Sequence, residues 1–373
     1  MIYLDYHAAT PLSAPVQAAM QAVLPQAWAN PASVHAAGRA VRQSLEQARR
    51  RVADSLAVAP LDLVWTSGGT EACHLGIRGL VATGIRHVVT TAIEHPAVAA
   101  AVASLAGAHC TVTTLPVAAG KVPSVAHLRA ALGADPRQTL VALQWVNHEV
   151  GLIFPIADYA AALAPTGARF FVDATQAWGK IQCTPHAGID ALAVAAHKMG
   201  GPAGAGALWL RRQAAWSPSL LGGGQERGRR AGSPDVLACV GMGVAASLVT
   251  ERLAEAERLR RMQAWLRTEL GRLGATLHPP AGATVPTVVS ASLPGRRGER
   301  LVAALDLEGI CVASGAACSS GVQQASPVLR ALYPKAPDAA LSALRVSYGP
   351  ETPMSDLEAF VAALRRVLAR LVQ

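Results

Sequence analysis

The sequence predicts an α/β fold, with a large domain built on a mostly parallel sheet sandwiched by helices and a smaller α+β domain. Two observations carry this. From Leu63 to Leu210, short apolar runs bounded by glycine turns alternate with helical stretches, the pattern of units that feed a parallel sheet. Beyond about residue 255 that alternation gives way to long helical stretches with isolated strands. At 373 residues, 51% hydrophobic and 15% charged, the chain is long and apolar enough for one large core or two, and disorder is excluded. The expected division is a large domain over 13–254 and a small one formed by 1–12 with 255–373.

Taken in order, the opening from Tyr3 to Pro11 reads as a short strand ending in a proline turn. A helix over Val16–Leu24 follows, then an irregular stretch, Asn30-Pro31-Ala32-Ser33-Val34-His35. A long amphipathic helix spans Ala37–Leu56, with Arg42, Glu46, Arg49 and Arg50 expected on its wet side. Strands are expected at Leu63–Thr66, His87–Thr91, Thr111–Leu115, Leu140–Val146, Arg169–Val172, Leu192–Ala196 and Ala207–Leu210. Between most of them lie the helical stretches Glu71–Val81, Ala97–Ala106, Val125–Leu132 and Ile156–Leu163. A long helix over Val236–Leu273, possibly broken, leads to strands at Val285–Ala291 and Arg345–Ser347 and helices at Glu299–Glu308 and Ser355–Leu371. Ser355 and Glu358 have the spacing of a capping box.

Several function classes drop out early. No apolar run approaches the roughly 20 residues of a membrane span, and the opening lacks the charged and apolar regions of a signal peptide, so a cytoplasmic protein without membrane attachment is expected. The six cysteines are scattered with no C-x-x-C pair, which leaves a metal site or a disulfide framework without support. The net charge of +9 raises nucleic acid as a partner, but the arginines are spread along the chain. Their densest group, Arg227, Arg229 and Arg230, lies in a glycine-rich loop with no aromatics, so no nucleic-acid partner is expected.

The chemistry gathers just after strands. Ala195 to Gly206 reads A-A-H-K-M-G-G-P-A-G-A-G and holds Lys198, one of four lysines among 33 basic residues. A lysine following a buried strand is partly desolvated, which favours the neutral amine needed for a Schiff base. Thr66-Ser67-Gly68-Gly69-Thr70-Glu71 runs from a strand into a helix, the build of a phosphate cradle. Glu94-His95-Pro96, Asn147-His148-Glu149 and Asp173-Ala174-Thr175-Gln176 place further polar groups after strands. Each alone has a plainer reading: a lysine in a glycine turn, helix caps, a helix-start histidine. An aspartate and a lysine near strand ends, with a phosphate cradle, together fit pyridoxal phosphate, which needs a Schiff-base lysine, a carboxylate at its ring nitrogen and a phosphate anchor.

Asp173-Ala174-Thr175-Gln176 followed by His197-Lys198 resembles the class V, fold-type I pyridoxal-phosphate-dependent enzymes. One branch, the cysteine desulfurases of the NifS and IscS type, is further matched by L-D-Y-x-A-A-T-P at the start, Asn30-Pro31-Ala32-Ser33, T-S-G-G-T-E, Glu94-His95 and Gly222–Gly228. Ser314-Gly315-Ala316-Ala317-Cys318 and Leu344-Arg345-Val346-Ser347 complete the set, in the family's order along nearly the whole chain.

The resemblance implies Lys198 as the Schiff-base lysine, Asp173 as the partner of the pyridinium, Gln176 near the phenolic oxygen and His95 stacked on the ring and handling protons. Gly69, Thr70 and His197 fall at the phosphate, and Ser233 is contributed across the interface of a homodimer. Arg345 and Asn30 fall at the substrate, and Cys318 is the cysteine that receives sulfur. The implied reaction converts L-cysteine to L-alanine and leaves a persulfide on Cys318, for delivery to an unidentified acceptor that feeds iron–sulfur clusters or other thio-cofactors or tRNA. A selenocysteine lyase or another class V enzyme is the first alternative, a catalytically reduced partner protein the second. Cys318 also reads as a loop residue from its small neighbours, whereas Cys311 fits an inert place in an apolar strand. Two positions depart from the pattern. His148 stands where the family has an asparagine that contacts the cofactor, and Ala195 stands where many members have a phosphate-binding serine.

Overall fold

A computed structural model gives the structure of the chain and describes residues 1–107, 110–118, 120–280, 282–315 and 325–370. In chain order, β1 (Ile2–Tyr3) is followed by α1 (Ala14–Val23), α2 (Ala36–Leu56), β2 (Leu63–Thr66), α3 (Gly69–Val81), β3 (His87–Thr91), α4 (Pro96–Ala103), β4 (Thr111–Leu115) and α5 (Val125–Ala130). Then come β5 (Thr139–Gln144), α6 (Ile156–Leu163), β6 (Arg169–Asp173), β7 (Ala191–Ala195) and β8 (Gly206–Leu210). The helices α7 (Val236–Ser247), α8 (Val249–Ala254) and α9 (Ala256–Arg272) lead to β9 (Thr276–His278), β10 (Val288–Ser292), α10 (Gly298–Leu307), β11 (Ile310–Cys311), α11 (Pro327–Leu332), α12 (Pro337–Leu341), β12 (Ala343–Ser347) and α13 (Met354–Arg370).

The strands of the first half form one sheet in the order β2-β8-β7-β6-β5-β3-β4, parallel except for β8, which runs against both its neighbours. Strands β5, β7 and β8 are buried along their whole length because helices cover both faces. One face packs on α3 and α4 through Leu75, Ile77, Leu80, Val98 and Phe171. The other packs on a core that includes Val41, Leu45 and Val52 of α2 and Met242 of α7. Gly76 lets α3 lie directly on the sheet, since a Cβ there would come within 2.6 Å of the Phe171 ring. A second, antiparallel sheet, β12-β10-β9, shares a core with α9, α10 and α13 that also takes in Leu4 from the N-terminal segment. β1 pairs in parallel with β11.

The stretch expected over Val236–Leu273, possibly broken, is three helices, interrupted at Leu248, where the backbone leaves helical geometry (φ −90°, ψ 0°), and at Glu255, which keeps helical angles (φ −76°, ψ −6°) but ends α8. Two expectations need correction. Ser355 lies inside α13, one residue past its start at Met354, so Ser355 and Glu358 make no capping box; Pro353 precedes the helix instead. Arg49 is not on the wet side of α2 but is 4% exposed. Its guanidinium forms a two-pronged pair with Glu226 at 2.7 and 2.8 Å, donates to the Leu63 carbonyl and lies 5.4 Å from the centre of the Trp65 ring. Glu226 also accepts the Trp65 N–H at 2.9 Å. This pair ties the glycine-rich loop to the sheet edge, and Glu226 and Arg227 take positive φ (49° and 61°) to reach it.

Removing one partner of a buried ion pair strands the other charge, so Glu226→Ala is expected to cost about 3–5 kcal/mol in chemical denaturation. The double change Arg49→Met with Glu226→Leu is expected to recover most of that loss; a double variant no more stable than the single one would contradict this account.

Candidate active site

Parallel β2, β3, β5, β6 and β7 end along one edge of the sheet, where an open α/β sheet places its ligand. A cavity of about 400 Å³ lies there. One end is formed by the N-terminus of α3. Gly68 caps it with φ 154°, and the N–H groups of the first turn have no partner within the helix. A Cβ at Gly69 would meet the Thr175 hydroxyl at 3.1 Å and the Ala195 methyl at 3.4 Å, so both flank the cradle. His197 lines the same cavity, and burial, followed by the charges of Lys198 and Lys180, pushes its imidazole down to about 4, which keeps it neutral.

Asp173, the last residue of β6, is buried on the cavity wall, and its Oδ1 accepts the Thr175 N–H at 2.9 Å. His95 caps α4, its Nδ1 accepting the Ala97 N–H at 3.1 Å, and shows its ring to the cavity. Burial lowers the His95 imidazole while the Asp173 charge opposes that shift. The His148 ring stands edge-on to His95, with centres 5.1 Å apart. Lys198 comes from the short turn after β7. Its Nζ donates to the carbonyls of His7 and Ala8, each at 2.8 Å. Gln176 donates to the same His7 carbonyl at 2.8 Å and accepts from Lys180 at 2.5 Å.

The cavity therefore brings together Gly69, Thr70, His95, His148, Asp173, Gln176, His197 and Lys198. Arg345 lies outside its lining but reaches it indirectly. It is 3% exposed, pairs with Asp5 at 2.8 Å and donates to the His148 carbonyl at 3.2 Å. Ser233 and Asn30 are exposed and do not line the cavity, and the Asn30 side chain accepts the Ala32 N–H in a local turn. Cys318 lies outside the described residues.

Residues 2–360 match the family described as aminotransferase class-V. The chain belongs to that family. Over 99% of its length it is 37% identical to the "IscS-like cysteine desulfurase" of Mycobacterium tuberculosis, covering 97% of that protein. It is 33% identical, again over 99% of its length, to the "Cysteine desulfurase IscS" of Dictyoglomus turgidum, covering 95% of it. Among solved structures it superposes on a "NIFS-LIKE PROTEIN" with a TM-score of 0.91 at 29% identity, over 99% of both chains. It also superposes on "SspA in complex with cysteine" with a TM-score of 0.81 at 26% identity, over 95% of this chain and 100% of that one. The architecture is that of the fold-type I enzymes, and class-V aminotransferases use pyridoxal phosphate. The donor set fits that group: a helix N-terminus with hydroxyls for a phosphate, a buried carboxylate for a ring nitrogen, and an imidazole and an amine lining the same cavity.

Other residues of the site were not singled out from sequence. Thr175 sits at the cradle, and the His7 carbonyl holds Lys198. Glu94 is buried, accepts from the Thr91 hydroxyl at 2.5 Å and the Gln144 N–H at 2.7 Å, and thereby fixes the β3 and β5 ends to one another. Its signal in the sequence was a charge following the strand β3, beside His95. Burial, helped by the Asp173 charge, raises the Glu94 carboxyl to about 8, so it is protonated near neutrality.

For a carboxyl raised in the folded state, stability is greatest at low pH and falls as pH climbs from the ordinary value near 4.3 through the folded value. The wild type is expected to lose stability faster than Glu94→Gln between about pH 5 and 8, with the two curves parallel above that. Parallel curves across the whole range would show that Glu94 is ionised in the fold.

Proposed function

We propose that the chain is an L-cysteine desulfurase that works with pyridoxal 5'-phosphate. The observation that carries this reading is one cavity holding the α3 cradle, Asp173, His95 and Lys198, in a chain matched end to end by proteins named cysteine desulfurase. When bound, the cofactor supplies an electron-withdrawing ring that stabilises charge at the substrate Cα.

The protein's residues then divide the work. The first turn of α3, through Gly69 and Thr70, binds the phosphate, with the Thr175 hydroxyl and a neutral His197 beside it. Asp173 keeps a proton on the ring nitrogen. Lys198 Nζ, exchanging its carbonyl contacts for the ligand, holds and moves the Cα proton. Arg345, whose Nε has no hydrogen-bond partner among the described residues, grips the substrate carboxylate, while Asp5 keeps the guanidinium oriented. The Cys318 thiolate attacks the substrate sulfur, the carbon–sulfur bond breaks with its electron pair left on carbon, and that carbon takes a proton. The products are L-alanine and a persulfide on Cys318, from which an acceptor thiol takes the sulfur for iron–sulfur, thio-cofactor or tRNA use.

We assign residues 13–254 to a cofactor-binding domain and 1–12 with 255–373 to a small domain that carries Arg345 and Cys318. The chain works as a cytoplasmic homodimer. Leu24, Trp28, Val34 and Leu221 are large apolar side chains left exposed, which supports burial against a second copy. Ser233 and Asn30, exposed and outside their own cavity, suit service in the partner's site.

Purified protein with pyridoxal phosphate and L-cysteine is expected to release alanine, and sulfide when a reductant is present. Cys318→Ala is expected to release neither, and Lys198→Ala to lose about 10²–10⁴-fold in rate. A cofactor-loaded wild type that is silent on cysteine would remove the substrate assignment. Ala195→Ser places a hydroxyl beside the cradle and is expected to tighten cofactor binding about tenfold, the worth of one added hydrogen bond, as read by absorbance titration.

A further inference from the structure

Lys198 lines two cavities. The larger holds Asp173 and His95; a second, of about 20 Å³, is lined by Lys198 with Lys180, Arg252 and Thr10 and, among the described residues, by no carboxylate. Lys180 is brought there by a tight turn. Trp178 is buried, with its indole N–H donating to the Ser55 hydroxyl, and the Lys180 N–H closes on the Ala177 carbonyl at 3.0 Å. Gly179 between them takes φ 75°, and a Cβ there would meet Met199 at 3.3 Å. Lys180 is partly buried, and its Nζ donates to Gln176 Oε1 at 2.5 Å. Burial, followed by the charges of Lys198 and Arg252, holds its ammonium well below the ordinary value. A cation set among cations costs stability, and such placements mark functional groups.

Gln176 is 4% exposed and spans from Lys180 to the His7 carbonyl. Both ends demand one amide orientation: the oxygen faces the Lys180 donor and the NH2 faces the carbonyl. The His7 carbonyl has two lone pairs, and it accepts from Gln176 and from Lys198, each at 2.8 Å. Lys198 also donates to the Ala8 carbonyl at 2.8 Å. These two acceptors differ in their access to solvent. Ala8 is partly exposed and lines the larger cavity, where water can replace a lost donor. His7 is 1% exposed, so its oxygen must be satisfied from within the protein. Once Lys198 turns to a ligand, Gln176 is the donor to that oxygen that remains among the described residues.

We propose that Lys180 is a positioning residue for Lys198: by holding Gln176 on the His7 carbonyl, it lets Lys198 leave its resting contacts without stranding a buried oxygen. This rests on the reading of Lys198 as the cofactor-binding amine. No bond to hydrogen is broken in the step. Lys198 gives up two hydrogen bonds, water takes its place at Ala8, and Gln176 stays at His7. With Lys180 absent, Gln176 Oε1 has no donor to fix it, and the His7 oxygen depends on Lys198, which makes release of the amine slower.

The test follows Lys198 as it leaves. Full-length protein freed of cofactor is prepared as wild type, Lys180→Met, Lys180→Arg, Gln176→Leu and the double variant Lys180→Met with Gln176→Leu, each shown to be folded by circular dichroism. Two rates are measured: capture of pyridoxal phosphate, by absorbance, and reductive methylation of Lys198 by formaldehyde, by peptide mass spectrometry. Lys180→Met is expected to slow both by about tenfold, the worth of one buried oxygen left without its donor. Lys180→Arg keeps a donor and is expected to recover most of the rate. Gln176→Leu is expected to be slow as well, and adding Lys180→Met to it to change neither rate further, because the lysine acts through the amide. Wild-type rates in Lys180→Met would overturn the proposal. So would an undiminished effect of Lys180→Met in the Gln176→Leu background, which would show that Lys180 acts by its charge alone. Failure of the cofactor reading looks different: the wild type captures no pyridoxal phosphate, while methylation still ranks the variants.

Discussion

The carbonyl of His7 is the point on which the site depends. It is a single backbone oxygen that receives both Lys198 and Gln176. A buried carbonyl must find donors, and a half-buried lysine must find acceptors, so each satisfies the other. The segment that offers this oxygen is fixed on every side. Asp5 holds Arg345, the His7 N–H donates to Ser347, the His7 ring bonds Thr287, and Thr10 joins the His197 carbonyl and the Gly200 N–H. Leu4 sinks into the core of the small sheet and its helices. The N-terminal segment thus runs between the large sheet and the small one and couples the lysine end of the cavity to the strand that carries Arg345.

The electrostatics follow from that crowding. Lys180, His95, His148 and His197 are gathered around the cavity or just behind it, close to Lys198, and burial disfavours charge on each of these four. The imidazoles respond by staying neutral. Glu94 responds in the same way from the acid side, because a second carboxylate close to Asp173 is costly to ionise in a dry place. The Asp173 carboxyl group and the phosphate-seeking end of α3 line the same cavity, which provides a partner for a ring nitrogen and a seat for a phosphate, the two anchors pyridoxal phosphate needs.

Much of the fold was legible because the large sheet is covered on both faces. Strands buried on both sides read as apolar runs, and all seven strands of the sheet were placed within two residues of their observed ends, β4 among them although it is mostly exposed. Short elements such as β9, α11 and α12 were not, because three to six residues carry no periodicity to read. Arg49 was misplaced for a related reason. Helical spacing identifies a stripe but not which neighbour fills it, and a charged residue enters that stripe once a distant Glu226 meets it there. Cys318 was singled out through family order and its small neighbours, and it lies outside the described residues.

The sequence by itself determined the chemical inventory: Lys198, Asp173, His95, the α3 cradle and the two departures, His148 and Ala195. These could be read because each follows a strand whose apolar pattern is local. Tertiary structure alone decided which oxygen holds Lys198, that Glu94 is kept protonated, and that His148 faces an unpartnered Glu149 oxygen. Those relations join residues far apart in the chain, or hang on side-chain direction and burial, and burial is a property of the packed whole that no local spacing encodes.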